Sequence, residues 1–170
     1  MVRVPFLFLT LKAVMSKKAI FPGTFDPFTN GHLDIVTRGL KIFDEIVVAI
    51  GVNSGKQHLF TLDQRTVWLE ELFTNEPRVS VIHYEGLTAT FAESIGAQFI
   101  LRGLRTTQDF MYEQQIAYVN EDLTAHVQSV FVMSDQKNAS VSSTIVRDLI
   151  RYNGTYQKYL PQAIYLEINK

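Results

Sequence analysis

From Lys17 onward the chain alternates short apolar runs with amphipathic stretches. Ala19-Ile20-Phe21 predicts a strand closed by Pro22-Gly23. After Gly31, Leu33, Val36, Leu40 and Phe43 recur near the helical period and predict a helix. Ile46 to Ile50 is a continuous, mostly β-branched run, the pattern of a strand buried on both faces of a parallel sheet. Thr61-Leu62-Asp63-Gln64 has the form of a capping box and opens a helix carrying Val67, Leu69, Leu72 and Phe73. Val79 to Tyr84 reads as a third strand, followed by a short helix through Phe91 and Ile95 that stops at Gly96. Phe99 to Leu101 is a fourth strand, Asp109 to about Leu123 a helix, and Val127 to Met133 a fifth strand. Ser142 to Tyr152 forms a helix ending at Asn153-Gly154, and Leu160-Pro161 leads into a helical tail.

Strands alternating with helices imply an α/β fold: one domain, a doubly wound, Rossmann-like sheet of five parallel strands with helices on both faces. Such sheets bind ligands beyond the carboxyl ends of their strands, where the strand order reverses. The polar, glycine-containing clusters all follow strands, so the topology gathers them on one edge. They are Gly23-Thr24-Phe25-Asp26 with Thr29-Asn30-Gly31-His32, then Asn53 to Lys56, Gly86-Leu87-Thr88, Arg102-Gly103-Leu104-Arg105, and Asn138 to Thr144.

Composition narrows the chemistry. The chain has 170 residues, enough for one domain with a real core. A net charge of −1 argues against a broad basic surface, and so against a nucleic-acid partner. There is no cysteine, which excludes thiolate metal sites, disulfides and thiol nucleophiles and fits a cytoplasmic location. No apolar run approaches the roughly 20 residues of a membrane helix. Val4 to Leu11 is apolar, but only Arg3 precedes it and no clean cleavage site follows. Residues 1–14 read as an extension outside the fold, with the domain over 15–170; a functional leader is the alternative.

Within the clusters, Thr24 offers a hydroxyl and an amide, and the helix after Asn30-Gly31 presents free amides to an anion. His32, in its first turn, can donate to a phosphoryl oxygen, or it packs locally beside a simple cap. Arg102 and Arg105 carry forked donors suited to phosphate. Lys56 can act as a point charge, although the stretch Gly51 to Gln57 is one residue short of a Walker A loop and lacks its hydroxyl. Ser142-Ser143-Thr144 is a strong helix cap and also a place to hold a triphosphate. Glu113 either meets a ribose or base or lies on a solvated helix face. His58, His83 and His126 lack metal-ligand spacing with carboxylates and read as structural. With no thiol, no Ser-His-Asp set and no carboxylate pair, the inventory suits phosphoryl or nucleotidyl transfer by positioning and charge stabilisation.

Gly23-Thr24-Phe25-Asp26-Pro27 with Thr29-Asn30-Gly31-His32 resembles the T/HxGH signature of the nucleotidyltransferase superfamily. Ser142 to Arg147 resembles its second signature, and Arg102 to Arg105 with Asp109 to Glu113 narrows the likeness to the phosphopantetheine adenylyltransferase family. The resemblance runs from about Lys17 to the Leu160-Pro161 region. It implies adenylyl transfer from ATP to 4′-phosphopantetheine, giving dephospho-coenzyme A and pyrophosphate in coenzyme A synthesis. By the resemblance, His32, Thr24, Lys56 and Arg105 would be catalytic, His32 stabilising the pentacoordinate transition state. Thr24, Lys56, Thr88 and Arg102 would hold phosphopantetheine. Thr24, Phe25, His32, Gly103, Leu104, Arg105, Glu113, Asn138, Ala139, Ser140, Val141, Ser142, Ser143 and Thr144 would bind ATP. Magnesium would arrive with ATP, without a protein ligand set. Dephospho-coenzyme A or coenzyme A would be a partner as product or inhibitor, and the assembly would be a homohexamer. Residues 135–139 lack the aromatic residue of some relatives, and Thr88 stands where others have a larger apolar residue; both bear on substrate contacts. A nicotinamide-nucleotide adenylyltransferase, a cytidylyltransferase and a non-catalytic nucleotide-binding module are the alternatives.

Overall fold

A computed structural model describes residues 16–52, 55 and 57–170. The strands are β1 (Lys18–Gly23), β2 (Glu45–Gly51), β3 (Val79–Tyr84), β4 (Phe99–Leu104) and β5 (Gln128–Met133). Between and after them lie helices α1 (Asn30–Gly39), α2 (Leu62–Phe73), α3 (Thr88–Ser94), α4 (Thr107–Leu123), α5 (Ser143–Arg151) and α6 (Gln162–Ile168). All strand pairs are parallel, in the order β3-β2-β1-β4-β5.

The β2 run behaves as its composition demands, since Ile46 to Ile50 are fully buried. Ile46, Val48 and Ile50 face one core with Ile35 and Val36 of α1, Leu69 and Phe73 of α2, and Ile164 of α6. Val47 and Ala49 face the other with Ala89 and Ala92 of α3. Period-two alternation thus feeds two cores, and both faces are covered. No helix among the described residues is long and apolar enough to cross a membrane. The expected extension, residues 1–14, lies outside the described residues.

The strand order reverses between β1 and β4, and there the sheet opens. β1 and β4 pair at Ala19–Phe99 and Ile20–Ile100, and that ladder stops, while β1 with β2 runs on to Gly23–Ile50 and β4 with β5 to Leu104–Met133. Pro22 is the cause: it has no N–H to donate. Its carbonyl, which points to the β4 side, accepts instead from Arg102 Nη1 at 2.9 Å. A guanidinium takes over where the ladder fails.

β4 is longer than its apolar run implies. The sequence ends that strand at Leu101, with Arg102 to Arg105 as a loop; pairing with β5 carries Arg102, Gly103 and Leu104 into the sheet. Gly103 is what lets α1 lie this close, because a Cβ there would stand 2.6 Å from Ile35 Cγ1.

Candidate active site

A cavity of about 570 Å³ lies over the carboxyl ends of β1 and β4, lined among others by Thr24, His32, Arg102, Arg105, Ser142, Ser143, Thr144 and Arg147. That volume suits a small-molecule ligand. A smaller one, of about 230 Å³, is lined by Val52, Tyr84, Gly86 and Thr88. Pro22, Gly23, Thr24 and Arg102 border both.

The β1–α1 turn is shaped by aromatic packing. Phe25 has φ 51°, and its ring lies so close over Gly23 that a Cβ there would be 2.7 Å from it. With Phe21 and Phe28 it encloses His32, at centroid separations of 6.2, 5.2 and 5.2 Å for Phe21, Phe25 and Phe28. Phe25 therefore serves the site through its backbone and through the histidine.

His32 is both a capping residue and a cavity residue. The Thr29 amide donates to its Nδ1 at 3.0 Å, and Thr29 Oγ1 stands 3.2 Å from the same atom. A backbone amide can only donate, so Nδ1 carries the lone pair. Burial, then the charges of Arg105 and Arg102, push the His32 pKa down to about 3. At neutral pH the ring is uncharged, and its proton sits on Nε2, which has no protein partner among the described residues. His32 is thus a neutral donor facing the cavity.

The arginines are held from behind. Glu113 takes Arg102 Nε at 2.7 Å and Nη2 at 2.5 Å. Glu113 is thus no solvated helix-face residue: its side chain is 12% exposed and paired with Arg102. Arg105 donates to Asp109 through Nε at 3.1 Å and through Nη1 to the Val141 carbonyl at 3.1 Å, which ties the end of β4 to the loop before α5. Burial works to raise the Asp109 pKa, but the hydrogen bonds and charge of Arg105 outweigh it and hold the carboxyl below its ordinary value.

At α5 the hydroxyls expected to meet a triphosphate also bond within the protein, and of the three only Ser143 spends its hydrogen. Ser142 Oγ accepts from the Ile145 amide at 3.2 Å, Ser143 Oγ donates to the Pro27 carbonyl at 2.8 Å, and Thr144 Oγ1 accepts from Arg147 Nη2 at 3.1 Å. The amides of Ser143 and Thr144 remain for an anion, and no acidic residue occupies that first turn. α1 also has no acid in its first turn, so two helix N-termini open on one cavity.

Two further groups of expected residues sit off the cavity wall. Asn138, Ala139 and Ser140 do not line the cavity. Their segment is tied to α1, where the Asp135 amide donates to Asp34 Oδ2 at 2.7 Å and Arg38 bridges Asp34 and Asp135. Leu104 is buried in the sheet and does not line it either. Lys56 lies outside the described residues.

Other residues enter that were not expected. Asp26, almost fully buried, accepts from the Leu59 amide at 2.9 Å and the Phe60 amide at 3.0 Å. Arg147 Nη1 donates to its carbonyl at 2.7 Å. Arg65 of α2, also buried, donates from Nη1 to the Thr24 carbonyl at 2.6 Å and fixes that loop. His58, expected to be structural, stands on the cavity wall with Gln57. Arg147 had a visible signal, as the last residue of the signature that runs from Ser142 to Arg147.

The cytidylyltransferase-like family model matches residues 20–149. The phosphopantetheine adenylyltransferase of Flavobacterium johnsoniae is 49% identical over 148 residues, 87% of this chain and 97% of its own length. Those of Cytophaga hutchinsonii and Bacteroides thetaiotaomicron are 45% and 43% identical, covering 88% and 90% of this chain and 100% and 99% of their own. The chain belongs to the phosphopantetheine adenylyltransferase family. Within the family match of 20–149 lie both helix N-termini, Arg102, Arg105 and Arg147.

Proposed function

We propose that this protein transfers the adenylyl group of ATP to 4′-phosphopantetheine, giving dephospho-coenzyme A and pyrophosphate. The observation that carries the reading is the pair of adjoining cavities with Thr24 and Arg102 in the wall of both. The larger, with two helix N-termini, Arg105 and Arg147, suits the nucleotide. The smaller, with Tyr84 and Thr88 hydrogen-bonded at 2.8 Å, suits the acceptor's pantetheine arm.

In this reading an oxygen of the acceptor phosphate attacks the α-phosphorus of ATP, the bond to the β-phosphate breaks, and pyrophosphate leaves. No enzyme nucleophile takes part. The His32 Nε2–H donates to the α-phosphoryl oxygens as charge gathers on them, and Arg102 and Arg105 offset the phosphates. Lys56 adds a further charge. Magnesium would come with the ATP phosphates and offset their charge there. On the described cavity wall the one carboxylate is Asp26, whose oxygens both accept backbone amides, so the chain's own contribution is donors and cations.

We propose further that it works in the cytoplasm as a homohexamer, with dephospho-coenzyme A or coenzyme A bound as product or inhibitor. Support for assembly comes from α4, where Met111, Tyr112, Tyr118, Val119 and Leu123 are exposed on one side of the helix. Light scattering should give six copies.

The deciding assay is pyrophosphate release from ATP with phosphopantetheine or nicotinamide mononucleotide, and from CTP with a phosphorylated alcohol. Turnover with phosphopantetheine is expected. Turnover confined to either other pair would overturn the reading.

A further inference from the structure

His58 is absorbed by neither the fold nor the proposed transfer. It lies just before α2, with its side chain 19% exposed, on the wall of the larger cavity. Its Nδ1 stands 3.8 Å from Asp26 Oδ2, an ion-pair distance and too long for a hydrogen bond. The Asp26 side chain is only 2% exposed, and the amides of Leu59 and Phe60 clamp its two oxygens. The carboxylate cannot swing away, so the histidine has a fixed negative partner behind it. With Nδ1 toward Asp26, Nε2 lies on the far edge of the ring, and no protein group among the described residues takes it.

We infer that His58 is a further phosphate ligand of the nucleotide cavity, a proton-charged donor that Asp26 holds from behind and the polyphosphate chain of ATP meets in front. This rests on the adenylyl-transfer reading and adds to it a second histidine of opposite character. His32 is enclosed by aromatic rings and arginines and stays neutral. His58 has a carboxylate at its back, and a bound polyphosphate would give it a second negative neighbour. Imidazole is the side chain whose charge changes near neutral pH, and flanking anions favour its charged form. The other charged groups around it are Arg147 of α5, 4.0 Å from the same Asp26 oxygen, Arg65 behind Asp26, and Arg102 and Arg105 elsewhere in the cavity lining. A bound polyphosphate meets these cations as well as His58.

The test is calorimetric titration of ATP, and separately of inorganic pyrophosphate, into the full chain at pH 6.5 and 8.5. Wild type is compared with His58→Gln and His58→Lys. ATP's own titration is common to all three and cancels. His58→Gln should weaken ATP and pyrophosphate binding roughly tenfold at pH 6.5, the scale of one charge-assisted hydrogen bond, and much less at pH 8.5. His58→Lys should keep wild-type affinity at pH 6.5 and exceed it at pH 8.5, because its charge is fixed. Equal affinities for wild type and His58→Gln at both pH values would overturn the inference, as would a loss of the same size at both. Those outcomes leave adenylyl transfer standing, since turnover with phosphopantetheine is scored separately. A wild-type protein that neither binds ATP nor turns over sinks the transfer reading, and this inference with it.

Discussion

Acid should destabilise this protein through His32 in a way one substitution removes. Its imidazole has an ordinary pKa of 6.5 that the fold pushes down to about 3, through burial first and then Arg105 and Arg102. Protonation would also set an Nδ1–H against the Thr29 amide that donates to that atom. Between those pH values the unfolded chain binds a proton the folded one refuses, so stability falls as pH drops below 6.5 and is unaffected above it. From pH 7.5 to 5.0 the loss from this one group is about 2 kcal/mol, rising to about 4 kcal/mol at pH 3. His32→Gln is the control, because Thr29 followed three residues later by Gln is a capping box in its own right, and its amide oxygen can accept from Thr29. Urea unfolding of both proteins without nucleotide, at both pH values and one protein concentration, isolates the histidine, since every carboxylate is common to the pair. Wild type should lose about 2 kcal/mol more than His32→Gln. Losses parallel to within about 0.5 kcal/mol would refute the argument that the ring is held neutral.

Other substitutions probe the remaining parts. His32→Ala should lower kcat by roughly 10²–10³ while ATP affinity, read by calorimetry, moves far less, as for a donor used mainly in the transition state. Arg102→Lys keeps the charge but loses the fork that spans Glu113 and the Pro22 carbonyl; the acceptor KM should rise more than the ATP KM in steady-state pyrophosphate assays. Gly103→Ala should cost about 1–3 kcal/mol in urea unfolding by driving a methyl into Ile35, and adding Ile35→Ala should recover part of it. Ser142→Ala removes the oxygen that accepts the Ile145 amide and should cost about 1 kcal/mol by the same measurement.

Elements whose evidence is local were legible in the sequence. The β2 run, buried on both faces, could be read directly from five consecutive apolar residues. The α2 start was equally plain: Thr61 and Gln64 make both reciprocal bonds, at 3.0 and 3.2 Å. β4 was cut short because Arg102 and Gly103 look like loop residues. Their place in the sheet is decided by pairing with Phe131 and Val132, nearly thirty positions away, and by the Ile35 contact that only a glycine admits.

The site was legible in its residue types and much less in what each one does. Its partners lie far apart in the chain, Arg102 with Pro22, Arg65 with Thr24, Ser143 with Pro27 and Arg147 with Asp26. No spacing rule reaches across such distances. The consequence is chemical as well as structural. A hydroxyl-rich helix start suggests hydroxyls for phosphate; folding spends the Ser143 hydrogen on Pro27 and leaves those of Ser142 and Thr144 beside the helix amides. Glu113 suggests a base or ribose contact or a solvated face, and folding pairs it with Arg102 as the counter-charge that aims the guanidinium. His32 and His58 are the same residue type on one cavity wall, and the groups behind them decide their character. Aromatic rings and a donating amide leave the first neutral, while a clamped carboxylate stands behind the second. A single adenylyl transfer has use for both, a neutral donor where charge develops and a cation where charge is already present.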